Sequence, residues 1–199
     1  MPLQKIIISP VSQLYLWHVT EDISQLKFQL RVISHDYLRF KNEIHQKQNL
    51  AKQLLISYLK LQDKLNYLPS GKPVLSGGQY ISISHSGYWV GISLSRVPVG
   101  LDLQTQQNKL LKVAPKFVHK SEQQLFDNRI NTLQYIWTAK ESIYKLAGTK
   151  TLSLKNDIRL LSIDSLLQKG TACLQHKKEV SLFFNKITSG LLSCQAVFR

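Results

Sequence analysis

The chain of 199 residues has only two cysteines, Cys173 and Cys194, and neither sits in a CxxC or Cys/His spacing. A disulfide framework and a structural zinc site are therefore both unsupported, and a reducing cytoplasmic setting is expected. Long apolar runs are missing as well: nothing approaches the ~18–20 residues that cross a bilayer. Residues 1–10 hold too short an apolar stretch for a signal peptide. Acidic residues are scarce, with 12 Asp+Glu against 26 Lys+Arg and a formal net charge of +14. The basic residues are dispersed, without the run of five or more like charges that marks a nucleic-acid tail. No linker or low-complexity segment divides the chain. The charge thus implies an anionic partner: nucleic acid, an acidic protein or a polyphosphorylated small molecule.

The patterning that is present alternates between helical and strand periods. Residues 6–19 read as a strand, and Thr20-Glu21-Asp22 as a helix start before residues 23–32. Ser34-His35-Asp36 opens a further helical stretch. Across residues 42–64, apolar Leu50, Leu54, Tyr58 and Leu61 step by three or four, and Leu65 and Leu68 continue the step, which predicts one long amphipathic helix. After turn chemistry at residues 69–73 and 76–78, residues 80–85, 89–94 and 99–104 read as three strands of an antiparallel meander. Ser121-Glu122-Gln123-Gln124 and Asn131-Thr132-Leu133-Gln134 resemble capping boxes, and the second launches a helix that Gly148 ends. Residues 153–161, 179–184 and 191–198 offer further strands. Helices and strands appear in each half, which suggests an α+β protein of two related lobes, each an antiparallel sheet packed with helices.

Two segments carry candidate chemistry. In residues 99–104, Asp102 and Gln104 alternate with Val99, Leu101 and Leu103, so both fall on one face of a strand. In residues 137–145, Trp137, Glu141 and Lys145 are spaced i, i+4, i+8 along one helical stripe. Two carboxylates, an amide and lysines brought together could hold a divalent cation and a polyphosphate. On spacing alone, Glu141 and Lys145 read equally well as a surface helical pair worth ~0.2–0.5 kcal/mol.

Four marks in order resemble the 4′-phosphopantetheinyl transferase family in its long single-chain type. They are Gly71-Lys72-Pro73, Ile83-Ser84-His85-Ser86, Gly100-Leu101-Asp102-Leu103 and Trp137-x-x-Lys140-Glu141-x-x-x-Lys145. Residues 117–122 also resemble the family's Phe-rich stretch with Ser/Thr-Glu, and the resemblance is strong over residues 70–155. It implies a pseudo-two-fold fold with an N-terminal lobe over residues 1–99 on the nucleotide side, a catalytic lobe over residues 100–199, and a site at their interface. It also implies Mg²⁺-dependent transfer of the phosphopantetheine arm of coenzyme A to a serine of an apo acyl or peptidyl carrier protein, releasing 3′,5′-ADP. By that resemblance Asp102 and Glu141 would hold the metal, with Gln104 where the family often has an acid. Glu141 would take the serine proton, and Lys145 and Lys140 would steady the pyrophosphate. Ser84 and His85 would bind phosphate, Lys72 and Pro73 the nucleotide end, and Lys52 and Arg39 would add basic contacts.

The expected partners are coenzyme A and an acidic carrier protein, with no nucleic acid or membrane, and the expected state is a monomer. Residues 109–120, with Lys109, Lys112, Lys116 and Lys120 around Phe117 and Val118, are the candidate carrier-docking surface. Two other readings stand beside this one. A degenerate relative would bind coenzyme A or a carrier without turnover, as Gln104 suggests, and a basic nucleic-acid-binding module would follow from charge alone.

Overall fold

A computed structural model describes residues 3–30, 34–123 and 129–199. Its first sheet has strand order β1-β2-β6-β5. The stretch read as one strand is a hairpin of β1 (Leu3–Ser9) and β2 (Ser12–His18), because Pro10 breaks the ladder and Val11 completes the turn. Asp22 caps α1 (Ile23–Gln29) in a reciprocal box with Gln25. A 3-10 turn at His35–Arg39 follows, and Asn42 caps α2 (Glu43–Tyr58). That helix stops at Tyr58, short of residue 64, and Lys60 takes a left-handed φ of 55° that turns the chain back. Leu61 and Leu65 still pack into the core that Leu50 and Leu55 form with Trp17, Val90 and Ile92. The apolar period therefore continued past the end of the helix. β3 (Leu65–Tyr67) and β4 (Pro73–Leu75) make a short ribbon before β5 (Tyr80–Ser86) and β6 (Trp89–Ser95) complete the sheet.

The meander ends there. β7 (Val99–Thr105) belongs to a second antiparallel sheet of order β7-β11-β10-β9-β8, so it extends a different ladder from β5 and β6. α3 (Lys109–Phe117), α4 (Lys120–Gln123) and α5 (Ile130–Ala147) precede β8 (Ile158–Asp164), β9 (Lys169–Leu174), β10 (Lys178–Lys186) and β11 (Leu191–Phe198). β9 was not foreseen, and β8 starts at Ile158, later than residue 153. α5 begins at Ile130 with Arg129 as its cap residue, ahead of the expected box at Asn131. The other expected box reaches Gln124, outside the described residues. There His119 N–H donates to Glu122 at 2.7 Å, so Glu122 closes the turn from its fourth position. Ile136, Ala139 and Ile143 of α5 pack on Ile158, Leu182 and Leu192.

The two sheets meet along a seam made by side chains. Ser82, Ser84 and Ser86, on one face of β5, accept hydrogen bonds from the backbone N–H groups of Leu101 (2.8 Å), Leu103 (3.1 Å) and Thr105 (2.9 Å). Three serines at a period of two thus satisfy the edge of β7 that β11 leaves free. A second tie runs through Gln195 of β11, which accepts from Ser12 at 2.7 Å and donates to Ser93 at 2.8 Å. Leu14, Leu16, Leu101, Leu103 and Leu191 fill the space between these ties. On its other side β7 lies against α5 at Gly100, where an added Cβ would stand 1.9 Å from Ser142 O and 2.5 Å from Leu146 N.

Lys140 anchors α5 to α4 and β8 and corrects one expectation. Its ammonium is fully buried and donates to Glu122 (2.7 Å) and to the carbonyls of Phe117, Leu154 and Ile158 (2.8, 3.0 and 2.9 Å). Burial lowers its pKa to about 8, against the pull of Glu122. The other Glu122 oxygen accepts from Leu160 N–H at 2.8 Å, so the pair ties α4, α5 and β8 together. With its three N–H groups shared among four acceptors inside the core, Lys140 has none left to reach a pyrophosphate.

Gly100→Ala is expected to lower stability by at least ~3 kcal/mol, a fall of roughly 6–12 °C in melting temperature. Gly190→Ala, with nothing within 4 Å of the new Cβ, is expected to stay within about 0.5 kcal/mol in the same melts. Lys140→Ala would strand a buried carboxylate and cost ~3–5 kcal/mol, while Lys140→Met with Glu122→Gln recovers much of that loss in denaturant titration.

Candidate active site at the serine seam

The seam continues directly into a charged cluster. Asp102, at the middle of β7 and buried, accepts at Oδ1 from Ser84 Oγ (3.0 Å) and Lys145 Nζ (2.8 Å). Lys145 also donates to Ser84 Oγ at 2.9 Å. Asp102 Oδ2 is buried with no hydrogen-bond partner. Lys145 comes from α5, one turn after Glu141, and Glu141, Trp137 and Gln104 line the same recess with Asp102. The Glu141–Lys145 ion pair that spacing alone also allows is not made, because Lys145 turns to Asp102 and Ser84.

Burial raises the pKa of Asp102, and Lys145 and Ser84 oppose that rise. Burial also raises Glu141, and the neighbouring negative charge of Asp102 adds to it. Two carboxyls that penalise each other's ionisation, one with an unpartnered buried oxygen, are a cation-receptive arrangement. Among the described residues no three His, Cys, Asp or Glu side chains cluster as a self-sufficient metal site. Two carboxylates do suit Mg²⁺, which keeps waters and takes further oxygens from substrate phosphates. Gln104 spends its amide nitrogen on Thr105 O at 2.7 Å, which leaves its amide oxygen as the group able to face a cation.

A cationic trough leads away from the recess. Because β5 alternates, Ile83 and His85 face away from the seam serines, toward α2. Arg39, His45, Lys52 and Tyr67 line the trough with His85, and Pro73 and Gly71 continue it toward Lys72, Tyr144 and Lys145. His85 is open to solvent on one side. Desolvation by its neighbours lowers its pKa first, and Lys145, His45 and Lys52 lower it further. Lys52 is likewise lowered, by burial and then by Arg39. Positive groups that repel one another in the free protein are arranged to receive an anion. His45 and Gln48 were not singled out from sequence, although their i, i+3, i+7 spacing with Lys52 on α2 is a readable signal.

Three expected contacts are placed differently. Ser84 turns its hydroxyl inward and gives its proton to Asp102. Lys72 lies in the trough wall, but its ammonium donates to Leu146 O at 2.7 Å and caps the end of α5. In the candidate docking segment, Phe117 and Val118 are buried, with Phe117 edge-on to Trp137 at 5.0 Å. Lys109, Lys112, Lys116 and Lys120 stay exposed, together with Leu111. The exposed face is therefore mainly basic, with Leu111 and Pro115 among the lysines, and Trp137 connects it to the recess.

Residues 98–189 match the family model of the 4′-phosphopantetheinyl transferase superfamily. A curated relative, the 4′-phosphopantetheinyl transferase gsp of Aneurinibacillus migulanus, is 28% identical over 135 residues, covering 64% of this chain and 56% of that protein. The 4′-phosphopantetheinyl transferase Sfp of Bacillus subtilis (strain 168) is 32% identical over 94 residues, 44% of this chain and 42% of that protein. The chain thus matches about half the length of these relatives. Residues 98–189, which hold the Gly100–Leu103 and Trp137–Lys145 marks, are thus similar to the 4′-phosphopantetheinyl transferase superfamily.

Proposed function

We propose that this protein is a 4′-phosphopantetheinyl transferase that moves the phosphopantetheine arm of coenzyme A to a serine of an apo carrier protein, uses Mg²⁺ and releases 3′,5′-ADP. The observation that carries this reading is the unpartnered buried oxygen of Asp102, lining one recess with Glu141 at the end of a cationic trough. Asp102 and Glu141 would hold the cation, with the Gln104 amide oxygen or water completing its shell. Bound there, it would neutralise the pyrophosphate and make its central bond easier to break.

The chain's own groups divide the remaining work. Glu141, its pKa raised chiefly by burial, takes the proton from the carrier serine. The serine oxygen forms a bond to the phosphorus that carries the pantetheine arm. The bond from that phosphorus to the bridging oxygen breaks, and its electron pair leaves on 3′,5′-ADP. Lys145 has two N–H groups committed to Asp102 and Ser84, and the third is free to meet the charge that develops on the leaving phosphate. His85, Lys52 and Arg39 suit the 3′-phosphate, and the trough wall at Lys72 and Pro73 suits the nucleotide end. The exposed basic face of α3 would steer an acidic carrier toward Trp137 and Glu141. Residues 1–99 and 100–199 would act as two lobes of one monomeric cytoplasmic enzyme, since one chain supplies both walls of the recess.

Gln104 favours one second reading, a relative that binds coenzyme A without turnover. Incubation with coenzyme A, Mg²⁺ and a panel of apo carrier proteins separates the two by intact mass spectrometry. The proposal expects one carrier to gain a single phosphopantetheine arm. Coenzyme A binding without transfer to any carrier would favour the second reading, and absence of binding would remove both.

Glu141→Gln is expected to slow transfer by about 10²–10⁴-fold with an unchanged melting temperature. Turnover within threefold of wild type would take the proton-accepting role from Glu141. The raised carboxyls act when ionised, so kcat/KM falls as pH drops through the apparent pKa values of the pair, which burial shifts upward. A nearby cation favours the ionised forms, so raising Mg²⁺ moves this acid limb to lower pH. A limb that stays fixed from low to saturating Mg²⁺ would mean that it does not arise from these carboxyls.

A further inference from the structure

We infer that Ser84 is a positioning residue for the metal-holding carboxylate, an inference that rests on the proposed function above. Its hydroxyl carries more of the site than any other neutral group. It accepts from Leu103 N–H (3.1 Å) and from Lys145 Nζ (2.9 Å), and it gives its one proton to Asp102 Oδ1 (3.0 Å). All three bonds lie in or at the edge of the buried seam, so the oxygen is held from the backbone side and the carboxylate from the other. With Oδ1 committed to Ser84 and Lys145, the plane of the Asp102 carboxyl is fixed and Oδ2 is the oxygen left unpaired. Ser84 thereby decides which oxygen is available to a cation, and it holds Lys145 beside the same carboxylate.

The neighbouring seam serines provide the contrast. Ser86 Oγ accepts from Thr105 N–H at 2.9 Å and shares a hydrogen bond with Thr105 Oγ1 at 3.1 Å, but touches no charged group. It performs the same joining task as Ser84 one step along the strand, without the link to Asp102. A serine that acted only in the seam would behave like Ser86 when replaced. A serine that orients the carboxylate would change cation binding as well. Outer partners of metal ligands typically alter affinity by about 10–100-fold when removed.

The test is Mn²⁺ binding in the presence of coenzyme A, followed by the loss of the free-ion signal in electron paramagnetic resonance. Coenzyme A without protein supplies the background. Wild-type protein is expected to bind one Mn²⁺, Ser84→Ala to bind it at least about tenfold more weakly, and Ser86→Ala to stay within about twofold of wild type. Ser84→Thr, which keeps the hydroxyl, is expected to restore the affinity. If Ser84→Ala does not fold, Ser84→Cys replaces it, because a thiol fills the space but donates and accepts weakly. Affinity equal to wild type in the Ala or Cys variant would overturn the role of Ser84, and so would an equal loss in Ser86→Ala. Wild-type protein that binds coenzyme A but no Mn²⁺ would overturn the metal reading itself, and this inference with it.

Discussion

Three serine hydroxyls receiving three backbone N–H groups hold this protein's two sheets together, and the site depends on that seam. β7 is a strand whose second edge is covered by side chains and not by another strand. Each bond contributes only about 1 kcal/mol net, but leaving a buried N–H unpaired costs about 1–3 kcal/mol, so the seam matters more for register than for gross stability. Register is what the chemistry needs. A slip of one residue would move Asp102 to the opposite face and detach it from both Ser84 and Lys145.

The seam also explains why a recess forms at this point. Ordinary sheet pairing would set β5 and β7 side by side with their backbones in contact and no cavity between the faces. Hydroxyl-mediated pairing brings Ser84 of the first sheet against Asp102 of the second, while α5, drawn close over Gly100, delivers Glu141 and Lys145. The result is a pair of carboxyls in a low-dielectric corner, with cations arranged along the trough beside them. Raised carboxyls beside such a trough mark a functional-site candidate.

Much of the site was legible in the sequence because its chemistry is written in period-two and period-four patterns. Asp102 and Gln104 on one strand face, and Glu141 with Lys145 on one helical stripe, meet as the spacing implied. Lys140 was misread because adjacency to Glu141 in sequence points it to the opposite side of the helix, where Glu122 and three carbonyls enclose it. The Ser84–Asp102 bond is not readable for a related reason: pattern alone does not reveal how many acceptors compete for one hydroxyl proton. The three-strand meander failed because a serine alternation looks the same whether it faces solvent or the edge of another sheet. The long helix failed because apolar periodicity persists wherever side chains reach the same core, even past the helix end at Tyr58.

The most direct test of the account is a crystal of the protein with coenzyme A and Mn²⁺, with an anomalous difference map at the manganese edge. The account predicts a single strong peak bounded by Asp102 Oδ2, the Glu141 carboxylate and the pyrophosphate, with Lys145 on the phosphate side. A peak elsewhere, or a pyrophosphate ordered away from Lys145 and His85, would contradict it.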